Sequence, residues 1–177
     1  MKIKELTKMS ICIAIICISS YISFPLPFTP TMITAQTIAI NLVALILTPK
    51  QSFIVVLLYI FLGAFGLPVF SGGTSGFGRL FGPTGGFILG FLVIAPLMSC
   101  LKGKNNSFKR YLFVTVFIGM IVLYCFGAIY MSIIQKISII SALSLAVFPF
   151  VVGDIFKCIL SSYLAVKLKK SLKFDIN

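Results

Sequence analysis

Asp154 and Lys157 are the residues of this chain best placed to do chemistry. They stand three apart in the stretch Pro149-Phe-Val-Val-Gly-Asp-Ile-Phe-Lys157, and i, i+3 spacing on a helix puts both on one face. A carboxylate and an ammonium so placed lower each other's cost of burial and can together grip a polar ligand; the bland alternative is an internal ion pair that pins a helix. Ser161, seven residues after Asp154, extends the same stripe. If the helix begins near Pro149, Asp154 lies about one to two turns deep, where the positive end of the helix dipole favours an anionic group held with Lys157. The other acids, Glu5 and Asp175, lie in the terminal tails.

The second unusual feature is the run Gly66 to Gly86, in which eight of twenty-one residues are glycine and the one charge is Arg79. Glycines allow positive φ and close backbone approach, so this segment, with Gly72 and Gly73 at its centre, can fold over a pocket and offer backbone N–H groups to a ligand. Phe70, Phe77 and Phe81 are expected to anchor it as a packed lid rather than a loose connector. Gln36 and Asn41 are uncharged polar residues within an apolar run. Gln36 suits either the same pocket or an interhelical hydrogen bond, and Asn41, placed deeper, suits packing. Ser10-x-x-x-Ala14 and then Cys17 form a strip of small side chains on which another helix can lie close.

Other chemistries are excluded. The chain has no histidine, which removes the commonest metal ligand and general base. Cys12, Cys17, Cys100, Cys125 and Cys158 stand singly in apolar runs, without the spacing of a zinc or redox site. Gly76-Phe-Gly78-Arg-Leu-Phe81 lacks the third glycine of a dinucleotide fingerprint, and no Gly-Lys-Ser/Thr follows, so no Walker site is present.

The elements that must position these residues follow from composition. Hydrophobic residues make up 59% of the 177 and charged residues only 10%, with a mean hydropathy of +1.15, a balance that suits lipid rather than water. Apolar runs bounded by charges or Pro/Gly clusters cover residues 9–24, 33–47, 52–67, 84–101, 111–134 and 148–166. They predict an all-α integral membrane protein of one domain, residues 1–177, with six transmembrane helices and Pro25 to Pro30 in the membrane interface.

Basic residues test that count, because they gather on the cytoplasmic side. One side takes Lys2, Lys4, Lys8, Lys50, Lys102, Lys104, Lys109, Arg110, Lys167, Lys169, Lys170 and Lys173; the other takes only Arg79 and Lys136, with Lys157 inside the last run. Both termini are therefore expected in the cytoplasm and the glycine-rich loop between helices three and four outside. The net charge of +12 is explained by this topology without nucleic acid. The start of the chain imitates a secretory signal but lacks a small-x-small cleavage site, so it is expected to stay as the first span.

Several segments together resemble the BioY family: Pro25-Leu-Pro-Phe-Thr-Pro30, Ile33-Thr-Ala-Gln-Thr37, Leu62-Gly-Ala-Phe-Gly-Leu-Pro-Val-Phe-Ser-Gly-Gly73, Gly82-Pro-Thr-Gly-Gly-Phe87 and Pro149 to Lys157. The resemblance covers essentially the whole chain. It implies the biotin-specific substrate-binding component of an energy-coupling-factor transporter in the plasma membrane of a bacterium, with a transmembrane coupling subunit and a pair of ATPases as partners. On that reading the chain is not an enzyme, holds no cofactor, and leaves ATP to its partners. Gln36, Gly72, Gly73, Arg79, Asp154 and Lys157 are then the expected biotin-binding residues. The resemblance also implies docking of the coupling subunit on Ser10 and Ala14, with Ser10 standing where family members often carry alanine. A component for another vitamin, such as riboflavin or thiamine, and a small membrane enzyme are the competing readings.

The topology has a direct check. In a variant without its five native cysteines, a single cysteine at Ser75 should react with an impermeant thiol reagent on intact cells, while one at Asn105 should not; the reverse pattern would invert the molecule.

Overall fold

The computed structural model describes residues 3–171; Lys2, Lys173 and Asp175, counted above, lie outside them. Helix α1 (Ile3–Ser19) leads into a two-stranded antiparallel hairpin, β1 (Ser23–Pro25) and β2 (Met32–Thr34), with Phe24 opposite Ile33. Then come α2 (Gln36–Ile46), α3 (Pro49–Ala64), the single turn α4 (Phe77–Leu80) and α5 (Gly85–Leu101). Helix α6 (Phe108–Phe113), a π-helical stretch (Val114–Met120) and α7 (Ile121–Gln135) run on as one 28-residue rod. Helices α8 (Ile139–Ala146) and α9 (Val151–Ser171) close the chain.

Two expectations need correction. The fold is not purely helical: the segment expected in the interface is the hairpin, because Pro25 and Pro30 have no N–H to give a helix while the flanking residues pair as short strands. The runs also miss one short helix, α8. The last run, 148–166, falls on α9, and α8 stands ahead of it in a stretch no run covered; the two axes meet at 56°, at a segment containing Pro149, which cannot join a continuous ladder.

Among the described residues, only the rod Phe108–Gln135 is by itself long and apolar enough to cross a membrane, and the bent pair α8 and α9 passes the same test jointly. Helices α2, α3 and α5 are apolar but shorter. With 11 residues α2 is about 16 Å long, roughly half the thickness of a hydrocarbon core. Its carbonyl end is therefore closed by protein: Ser99 donates to the Leu47 carbonyl at 2.6 Å, and the buried Lys102 ammonium donates to the carbonyls of Ala44, at 3.0 Å, and Leu47. The chain then turns sharply, Thr48 and Gln51 forming a capping box ahead of Pro49 at the start of α3.

Helix α5 is the centre of the bundle, packed against α7, α3 and α2. Its contact with α7 is closed by glycines: a Cβ on Gly86 would lie 2.4 Å from that of Tyr130, and one on Gly127 would lie 2.2 Å from the Phe87 ring. Helix α9 is inside out relative to a soluble helix. Its buried residues are Asp154, Cys158, Ser161, Ser162, Ala165 and Lys169, whereas Val152, Phe156, Leu160 and Tyr163 face outward. Asn41 of α2 donates to Ser161 at 3.4 Å and lies 3.7 Å from the Cys158 sulfur, the packing role expected of it. A helix with polar groups inside and aromatic and aliphatic groups outside is built for lipid.

The α5–α7 contact should be sensitive to volume. Gly86→Val is expected to destabilise the purified protein by about 2 kcal/mol through overpacking, read as a lowered thermal midpoint. Gly153→Ala, where a Cβ meets nothing within 4 Å, should leave it nearly unchanged.

Candidate ligand-binding site

At the head of α9, Lys157 donates to one oxygen of Asp154 at 2.8 Å and the Tyr124 hydroxyl of α7 donates to the other at 2.7 Å. Both lone-pair faces of the carboxylate are thus answered by donors from two helices, as a buried charge requires. The i, i+3 pairing expected from the sequence is present. Tyr124 is not singled out by the sequence, since a tyrosine in a long apolar run looks like any core aromatic.

These three side chains line one wall of a cavity of about 60 Å³. Thr31 and Thr34 of the hairpin, Thr37 of α2, Ser71 and Arg79 complete its polar side, with Met32 between the two threonines of the hairpin. Phe87, Ile88 and Phe91 of α5, Leu123 of α7 and Phe150 supply its apolar side. Arg79, on α4, is held over the cavity because Tyr130 of α7 donates to the Leu80 carbonyl at 3.0 Å. The lining therefore carries one carboxylate and two cations, leaving it positive.

Three buried hydroxyls, those of Thr31, Thr37 and Thr84, have no hydrogen-bond partner among the described residues, and all three residues line this one cavity. An unanswered buried hydroxyl costs about 1 to 3 kcal/mol, so a cluster of them marks a place where the missing partners come from a ligand or from water.

Gln36 is placed elsewhere. Its amide nitrogen donates to the Tyr59 hydroxyl at 2.8 Å and to the Val69 carbonyl at 3.1 Å, and its oxygen accepts from Ser71 at 3.1 Å. It is fully buried and reaches the cavity lining only through Ser71. Through Ser71 and Val69 it fixes the glycine-rich segment to α2 and α3.

Gly72 and Gly73 do adopt positive φ, 75° and 68°, but their N–H groups are turned to protein: Gly72 donates to the Ser20 carbonyl at 3.1 Å and Gly73 to the Phe70 carbonyl at 2.9 Å. They shape the turn and are absent from the cavity lining. Of the three expected aromatic anchors only Phe70 is one. It is buried against Gly63 and sits edge-on to Tyr59 with ring centroids 5.7 Å apart, whereas Phe77 and Phe81 are exposed. Ser10 and Ala14 lie together on the exposed side of α1, far from these residues in the fold's element order and outside the cavity lining.

Comparison with known proteins points the same way. The chain is 36% identical over 171 residues to the biotin transporter BioY2 of Lactococcus lactis subsp. cremoris, covering 97% of this chain and 93% of that one. It is 35% identical over 167 residues to the biotin transporter BioY of Thermotoga maritima, covering 94% and 96%. Its structure matches the crystal structure of the S-component for biotin from an ECF-type ABC transporter with a TM-score of 0.88 at 29% identity, over 95% of this chain and 92% of that one. These relatives are named as transporters, not enzymes, and the fold is that of a membrane S-component. The model of the BioY family matches residues 1–174, and the chain belongs to that family.

Proposed function

We propose that this chain is the biotin-capturing membrane subunit of an uptake system. The observation that carries the reading is the cavity at the head of α9, where three unanswered hydroxyls meet the Asp154, Lys157 and Tyr124 cluster and Arg79. Biotin fits that chemistry part by part. Its ureido N–H groups suit Asp154, its ureido oxygen suits a threonine hydroxyl, its fused rings suit Phe87 and Phe91, and its carboxylate suits Arg79, since Lys157 is already engaged. A cavity of about 60 Å³ is well below the ~300 Å³ of a small ligand site, so the hairpin and the glycine-rich segment must yield as biotin enters.

On this reading the bundle crosses the membrane six times with both termini in the cytoplasm, and the cavity opens outward. A coupling subunit and an ATPase pair supply the energy for release, because a bound ligand leaves against a gradient only if another free-energy source shifts the conformational balance. The exposed strip at Ser10 and Ala14 is the docking face for that coupling subunit, small side chains allowing helices to approach closely. No ligand has to be held by α1, which keeps capture and docking on separate elements.

The test is equilibrium binding of labelled biotin to the detergent-purified chain without partners. The parent chain should bind, while Asp154→Asn and Lys157→Ala should each weaken binding by about 2 kcal/mol, some 30-fold, because each leaves its partner buried and unpaired. Arg79→Gln should weaken biotin but not biotin methyl ester. Tight riboflavin or thiamine binding in place of biotin would assign another vitamin, and biotin binding unaffected by either charge change would return the Asp154 and Lys157 pair to a structural role.

A further inference from the structure

The outer surface of the rod Phe108–Gln135 carries a second kind of site, which takes no part in the cavity described above. Two apolar grooves lie on either side of Phe113. The first, about 360 Å³, is walled by Leu112, Val116 and Phe117 with Ile155 and Ile159 of α9, and Lys109 stands at its end. The second, about 350 Å³, is walled by Leu101, Val114 and Ile118, and Arg110 stands at its end. Phe113 belongs to both grooves and forms the ridge between them. It stacks on Phe117 with centroids 4.9 Å apart, and both rings are 56% exposed.

The dimensions and charges select the occupant. From Lys109 to Phe117 the rod rises about 12 Å, close to the ~15 Å of hydrocarbon in one leaflet. Lys109 and Arg110 are adjacent in sequence, and Lys104 is exposed just before them. None of the three is in the ion pair of Lys157 with Asp154. Arg110 is held at the groove mouth by two donations to the Leu101 carbonyl, at 3.3 and 3.2 Å, with part of its guanidinium left over.

We propose that this surface binds one anionic diacyl phospholipid, an acyl chain in each groove astride Phe113 and the phosphate between Lys109 and Arg110. Two parallel apolar grooves sharing a ridge match two chains on one headgroup. Adjacent cations without a carboxylate favour a net negative headgroup over a zwitterionic one, whose own cation would face them. The grooves lie at the end of the rod that the distribution of basic residues assigns to the cytoplasmic leaflet.

The experiment uses the whole chain in mild detergent, titrated with equal mole fractions of dioleoyl phosphatidylglycerol and dioleoyl phosphatidylcholine, bound lipid being counted by native mass spectrometry. The parent should prefer phosphatidylglycerol, by about fivefold for each contributing cation. Lys109→Gln combined with Arg110→Lys, which keeps a donor for the Leu101 carbonyl, should lower the preference, whereas Lys167→Gln with Lys170→Gln should not. Lys109→Gln alone serves if the combined variant does not fold, biotin binding reporting the fold in each sample. Soluble glycerophosphoglycerol in excess should not displace the lipid. Equal binding of the two lipids, a preference untouched by the Lys109 and Arg110 changes, or displacement by the free headgroup would each overturn the proposal.

Discussion

Asp154 lies on the inward face of a helix whose outward face is Val152, Phe156 and Leu160, so its charge has protein rather than water around it. In such surroundings a carboxylate must be answered by donors at hydrogen-bond distance, and Lys157 and Tyr124 answer it at 2.8 and 2.7 Å. That requirement ties α9 to α7 at one end of the bundle and fixes where α9 begins. The break before Val151 and the 56° bend from α8 carry the chain over the top of this cluster, and Phe150 closes one side of the cavity beside it.

The same rule governs the rest of the polar interior. Lys102 is buried because the short α2 ends inside the protein and its last carbonyls need donors. Gln36 is buried because its amide can answer Tyr59, Val69 and Ser71 together. Asn41 and Thr115 serve the serines of α9 in the same manner, at 3.4 Å to Ser161 and 3.3 Å to Ser162. Against this background of satisfied groups the hydroxyls of Thr31, Thr37 and Thr84 stand out. A bundle that answers nearly every other polar group leaves these three facing one cavity, where a ligand's polar groups would find their partners already placed.

Much of this was legible in the residues. Asp154 is the one carboxylate in an apolar run, so its pairing with Lys157 followed from helical spacing, and the positions of α3 and α5 followed from apolar runs bounded by Pro49 and by the glycines at 85 and 86. The hairpin was hidden because strands of three residues carry too little alternation to read. Tyr124 and the threonines were hidden because their role depends on which faces meet across α2, α5, α7 and the hairpin. Gln36, Gly72 and Gly73 illustrate the converse: polarity and backbone freedom announce that a residue matters, but not whether it faces the ligand or holds the wall behind it. Of the segment's three aromatics only Phe70 is buried, its ring lying over Gly63 of α3, where a side chain would leave no room for it.

The central claim is that biotin occupies the cavity between the hairpin and the head of α9, and chemical protection at Thr31 tests it most directly. Thr31 lines the cavity and its hydroxyl holds up no other group, so Thr31→Cys, made without the five native cysteines, removes no internal hydrogen bond through that hydroxyl. Saturating biotin should slow modification of this cysteine by a small thiosulfonate reagent by about tenfold or more, since a bound ligand of this size covers most of such a site. Modification at the same rate with and without bound biotin would put the ligand somewhere else.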